Sequence, residues 1–76
     1  DFVIYPNPVN DRLYIETQTL TQTIEIYDVY GRIQNLSNSA TQQLSNSINV
    51  DNLNSGVYFV KVVTENGEVV KRFVKK

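Results

Sequence analysis

Apolar and polar residues alternate along this chain in short bursts. Leu13 and Ile15 alternate with Arg12, Tyr14 and Glu16, Ile24 and Ile26 with Thr23, Glu25 and Tyr27, and Ile48 and Val50 with Asn49 and Asp51. A period of two puts successive side chains on opposite faces of an extended backbone, so each burst predicts a strand with one buried face. Residues 57–64 break the rule, with Tyr58, Val60 and Val62 on one side and Val57, Phe59 and Val63 on the other. That pattern predicts a central strand covered on both faces for much of its length. No stretch carries a helical stripe. Residues 35–47, with Ser, Asn, Gln and Thr around Leu36, Ala40 and Leu44, read as a polar connection or a short edge strand.

Turn chemistry separates these elements. Asn66-Gly67 between Glu65 and Glu68 predicts a two-residue hairpin turn, which needs positive φ at both central positions. Tyr30-Gly31 does similar work before Arg32-Ile33, and Asn54-Ser55-Gly56 launches the central strand. Both prolines fall within Tyr5-Pro6-Asn7-Pro8. Lacking an amide donor and holding φ near about −65°, they keep residues 5–10 out of any ladder or helix and predict a fixed corner. The corner is expected to place residues 2–5 in one sheet and residues 12–17 in the other, or at another edge. Short strands with regularly spaced turns point to an all-β fold: a small antiparallel immunoglobulin-like β-sandwich of about seven strands.

Composition narrows the functions. A chain of 76 residues is one small domain, and at that size only about 60% of the extended chain's surface is buried. The chain has no Cys, His, Met or Trp, so its compactness rests on Val, Ile, Leu, Phe and Tyr. No apolar run approaches the roughly 20 residues of a membrane helix, so the chain is not expected to span a membrane. A net charge of −1 argues against nucleic-acid binding, which needs excess positive charge along the phosphates. The charge is uneven, because Lys71, Arg72, Lys75 and Lys76 put four of the seven positive charges into the last six residues. With no opening Met and no leader before Asp1, the chain reads as a piece of a longer protein.

Catalytic chemistry is poorly supplied. There is no imidazole base and no thiolate, and no Ser has a partner to activate it, so no enzyme and no cofactor is expected. Asp1, Asp11, Glu16, Glu25, Asp28, Asp51, Glu65 and Glu68 could supply an acid and base pair, but they fall mostly at turn or outward positions and read as solvated surface. Asp51, Asn52 and Asn54 before Gly56 resemble a calcium loop, yet Leu53 sits where an oxygen ligand is wanted and no Glu follows at the right spacing. A turn is the better reading. Asn35-Leu36-Ser37 is a formal glycosylation triplet with a high chance rate. The aromatic residues read as core and cross-strand packing, with an exposed sugar-stacking face as the other possibility. The end, "VVKRFVKK", reads either as a solvated edge strand whose lysines discourage aggregation or as a basic docking handle.

The order of these pieces resembles a known family. "YPNPVNDRLYIE", then "IEIYDVYGR", then "INVDNLNSGVYFVKV" and the basic end "VVKRFVKK" resemble the type A C-terminal sorting domain of the type IX, or Por, secretion system. The resemblance runs from Tyr5 to Lys76, with only the polar middle unmarked. Its motif falls on Tyr5, Pro6, Asn7, Pro8, Asp28, Gly31, Leu53, Gly56 and Tyr58, each of which also has a structural job.

The resemblance implies an address label. It implies a secreted cargo ahead of residues 1–76, transit through the periplasm of a Bacteroidetes cell, and capture of the folded domain by an outer-membrane translocon and its shuttle protein. A cell-surface sortase-like cysteine protease then removes the domain, leaving the cargo at the cell surface or outside. By family analogy the translocon contact falls on Lys71, Arg72, Phe73, Val74, Lys75 and Lys76, with Phe73 and Val74 offering apolar contact or strand addition. The competing expectation is an extracellular immunoglobulin-like module that binds carbohydrate or acts as a spacer, which would show an exposed aromatic row or a calcium site.

Overall fold

The computed structural model describes residues 2–34 and 44–76. Six strands form among them: β1 Phe2–Tyr5, β2 Arg12–Thr17, β3 Thr21–Asp28, β4 Ser45–Asn49, β5 Gly56–Thr64 and β6 Gly67–Lys75. They make two antiparallel sheets of three strands, ordered β1-β2-β4 and β3-β5-β6. The all-β expectation holds, with six strands among the described residues where about seven were expected.

Register explains the alternation seen in the sequence. In the first sheet Ile4 lies opposite Ile15 and Leu13 opposite Ile48; in the second Ile24 faces Val62, Ile26 faces Val60 and Tyr58 faces Phe73. Paired residues share a face, so each sheet gathers its apolar side chains on one side. The two sides meet in one cluster that includes Phe2, Leu13, Ile15, Ile48, Ile26, Tyr58, Val60, Val62 and Phe73. Burying a side chain of this size stabilises by roughly 1.5–3 kcal/mol. No disulfide is needed to hold the sheets together.

Two expectations change. Strand β5 is central in its sheet, but Val57, Phe59 and Val63 are only half-buried. Two layers give a strand one covered face, and on the other face Phe59 is flanked by its paired residues Tyr27 and Arg72. Of the two readings of residues 35–47, a polar connection or a short edge strand, the strand holds at the end of that stretch: β4 lies at the edge of its sheet, and its Asn46 is buried and donates to Thr21 Oγ1 at 3.2 Å. A buried polar contact holds that strand where an apolar pair would have advertised it. The proline corner does not pass residues 2–5 and 12–17 to different sheets, because β1 and β2 are hydrogen-bonded neighbours from Phe2↔Thr17 to Tyr5↔Tyr14. The corner reverses the chain within one sheet, through cis peptide bonds before Pro6 and Pro8.

The β5–β6 hairpin sits one residue earlier than its Asn-Gly signal suggested. Thr64 pairs with Gly67, so Glu65 and Asn66 form the turn and Gly67 follows it with φ of 120°. The Thr64 hydroxyl accepts from the Asn66 N–H at 3.1 Å and fixes that placement. This hairpin lies at one end of the molecule together with Phe2, Thr17 and Thr19. Antiparallel pairing then places the ends of β3 and β6 and the start of β5 at the opposite pole.

Candidate functional site

That opposite pole collects the turn after β3, the turn before β5, the proline corner and the tail. The proline corner reaches it first, and it ties down the end of the chain. The Val9 N–H donates to the Val74 carbonyl at 2.8 Å, the Lys76 N–H donates to the Val9 carbonyl at 2.9 Å, and the Val74 N–H donates to Asn7 Oδ1 at 2.9 Å. Prolines cannot donate, so Val9 carries the first amide after Pro8 that can join β6. The result is a short parallel bridge, Val9↔Lys75, on the flank of β6 that β5 leaves open.

This arrangement revises the expectation for the tail. Phe73 is completely buried and stacks on Tyr58 with ring centroids 5.7 Å apart. It cannot offer apolar contact to a partner while the domain is folded. Lys75 is also buried, with its ammonium donating to the Lys76 carbonyl at 3.1 Å. Lys71 is half-buried, its ammonium 5.4 Å from the centre of the Phe2 ring. Arg72 and Lys76 are exposed and Val74 is half-buried. Strand addition at the very end of β6 is blocked, because Val9 already occupies that flank.

The remaining motif residues build the pole. Leu53 is buried and its N–H donates to the Val50 carbonyl at 3.0 Å, closing the turn that leads to Gly56 opposite Lys75. The Tyr58 hydroxyl donates to the Asn54 carbonyl at 2.8 Å across the same turn. The Asp51 N–H is held by Asn49 Oδ1 at 3.0 Å. Among the described residues no cluster of three acidic, His or Cys side chains could hold a metal. Tyr5 lies on the outer face of the first sheet, stacked on Tyr14 at 5.6 Å with its hydroxyl hydrogen-bonded to Glu16, a bond that raises its pKa. The triplet Asn35-Leu36-Ser37 lies outside the described residues.

Asp28 organises the turn after β3. One carboxylate oxygen accepts from the N–H groups of Tyr30 at 2.9 Å and Arg32 at 3.0 Å, and the other accepts from Arg32 Nε at 2.8 Å. Burial alone would raise its pKa, but the backbone N–H and side chain of Arg32, with the N–H of Tyr30, outweigh burial and hold it below the ordinary value. Gly31 supplies the φ of 81° that closes the turn, donating to the Asp28 carbonyl at 3.0 Å. Glu25, on the outer face of the second sheet, is also held ionised: the Tyr27 hydroxyl donates to it at 2.7 Å and Lys61 pairs with it at 3.3 Å, and both lower its pKa. These two carboxylates serve as anchors for neighbouring groups.

The family model for the secretion system C-terminal sorting domain matches residues 3–76. The chain belongs to this family. Its members are the C-terminal sorting signal of type IX secretion, so this sorting domain marks a cargo for export to the cell surface or the space outside. Among curated proteins, none matches the chain. The pairing of corner and tail gave no local sequence signal, since its partners Asn7 and Val74 lie 67 residues apart. The turn at 29–32 gave one that is easily passed over: aliphatic, aromatic and cationic residues sit where a hairpin tip usually carries small polar ones.

Proposed function

We propose that the type IX translocon and its shuttle protein read this sorting domain in its folded state, at the motif-bearing pole. The tail residues that reach solvent toward that pole, Arg72, Val74 and Lys76, make the contact, while Lys71 lies further back against Phe2. Phe73 and Lys75 hold them in register. The observation that carries this reading is the tail's attachment on both flanks, to β5 and to the proline corner, at the pole opposite Phe2. With the cargo preceding Phe2 in one larger secreted protein, the label then faces away from what it labels. The domain itself does no chemistry, and its fold is an immunoglobulin-like sandwich. Transit runs through the periplasm, and removal by a sortase-like cysteine protease at the cell surface ends its use.

The test is a transplant. Residues 1–76 are fused to the C-terminus of a periplasmic reporter in a bacterium with a type IX system, beside a version carrying Arg72→Glu and Lys76→Glu. Both changes lie at exposed positions, so the fold is kept, as resistance to limited proteolysis checks. The unaltered fusion is expected outside the cell and the reversed one in the periplasm. Equal export of both would remove the tail from the reading surface.

A further inference from the structure

The turn after β3 is a second exposed feature at the same pole. Among the described residues, three of the ten exposed large hydrophobic side chains fall within five positions: Val29 at 58%, Tyr30 at 80% and Ile33 at 56% exposure, with Tyr30 the most exposed of all. Such clustering at a hairpin tip costs solubility and calls for an occupant. The tip is also rigid, pinned by the three hydrogen bonds to Asp28 and continued by Tyr27↔Ile33 pairing and the Gln34 N–H to Ile26 carbonyl bond of 2.7 Å. A contact already ordered in the free domain loses little entropy on binding.

The chemistry of the tip limits what fits it. The Arg32 guanidinium lies 5.2 Å from the centre of the Tyr30 ring, and its side chain is 72% exposed despite the bond from Nε to Asp28. An aromatic ring under a cation, flanked by aliphatic groups, has the make-up of an interface anchor, for which Tyr and Arg are favoured. Its complement is an apolar pocket with a carboxylate at the rim. The tip shares its pole with the tail, since Asp28 pairs with Tyr58 and Tyr58 with Phe73. A surface that receives the tail therefore lies within reach of the tip.

We infer that Val29, Tyr30 and Arg32 form a second docking element of the sorting domain, seated in an apolar, acid-rimmed pocket of the same translocon surface that takes the tail. This inference rests on the proposed reading of the pole. Asp28 and Gly31 shape the element, and the Tyr30 ring is its anchor. Two contacts far apart in sequence give the reader a check on the fold, because the pairing of β3, β5 and β6 is what brings residues 30 and 76 to one pole.

The experiment uses the reporter fusion with Tyr30→Ala, Tyr30→Phe, and Glu65→Ala at the far pole, beside the tail reversal. Protease resistance and thermal unfolding of each fusion establish that it is folded. Tyr30→Ala is expected to lower secreted reporter about tenfold or more, the scale on which a buried anchor acts. Tyr30→Phe and Glu65→Ala are expected to export at the unaltered level. Export of folded Tyr30→Ala at that level, with the tail reversal still retained, would overturn the inference and leave the tail reading in place. Retention of Tyr30→Ala with free export of the tail reversal would remove the tail reading and overturn the pairing of tip and tail, leaving the tip as the contact. Equal loss in Tyr30→Phe and Tyr30→Ala would overturn it, because the ring is the claimed contact.

Discussion

The two poles of the domain solve the same problem with different materials. At the far pole the β5–β6 hairpin ends in Glu65 and Asn66, a polar tip held by the Thr64 hydroxyl, with Asn66 reaching the Thr19 hydroxyl at 3.1 Å. At the motif-bearing pole the turn after β3 ends in Val29 and Tyr30, held by a carboxylate, and the chain's last residues are bonded on both flanks. One tip is what a soluble hairpin needs and no more. The other holds Val29 and Tyr30 in water on a turn braced by Asp28. The contrast lies between the two tips, since away from its tip the far pole also exposes Leu20, Leu44 and Val69.

The largest expected break in this comparison comes from inside the motif-bearing pole. Phe73→Ala removes a fully buried ring and leaves Tyr58 without its stacking partner. It should cost about 3–5 kcal/mol, and a domain of this length has only about 4–11 kcal/mol to lose. Urea unfolding should show a midpoint far below that of the unaltered chain. A midpoint close to the unaltered one would mean that the tail is not part of the core.

The far pole should respond more weakly. Gly67→Ala forces a side chain onto a backbone with φ of 120°, although nothing within 4 Å would obstruct the added carbon. Backbone strain alone should cost about 1–2 kcal/mol, read as a lower midpoint with unchanged export. Lost export in a folded Gly67→Ala fusion would show that the far pole is read too.

The smallest expected effect is the share of the pH dependence that Asp28 contributes at the motif-bearing pole. The folded pKa of Asp28 lies below its unfolded value, so its contribution to stability is complete above the ordinary carboxylate range. It is lost as pH falls through the depressed folded value. Chemical unfolding between pH 7 and pH 3 should weaken more for the unaltered chain than for Asp28→Asn, which is already weaker at neutral pH. Identical slopes would mean that the carboxylate does not hold the turn as an anion.

Much of this was legible in the chain, for definite reasons. Alternation at 12–17, 24–27 and 48–50 located three strands because each buries one face against the other sheet. The β6 strand was harder to read. Its core-facing positions include Lys71, Phe73 and Lys75, where aliphatic stems cover the sheet while the charged ends find partners. A run of cations thus concealed a period of two, and Phe73 looked available when it is the best-buried ring in the domain. The start of β4 was hidden by Ser45, Asn46 and Ser47, because a polar contact with Thr21 replaces an apolar one. The proline corner announced itself as rigid, but its partner lay at the other end of the sequence.

The central claim is that one pole is read and the other is not. A photo-crosslinking amino acid placed at position 30, 76 or 66 of the reporter fusion, activated while export is stalled, tests it directly. The account predicts adducts with the translocon from positions 30 and 76 and none from position 66. Adducts from position 66, with positions 30 and 76 unreacted, would contradict it.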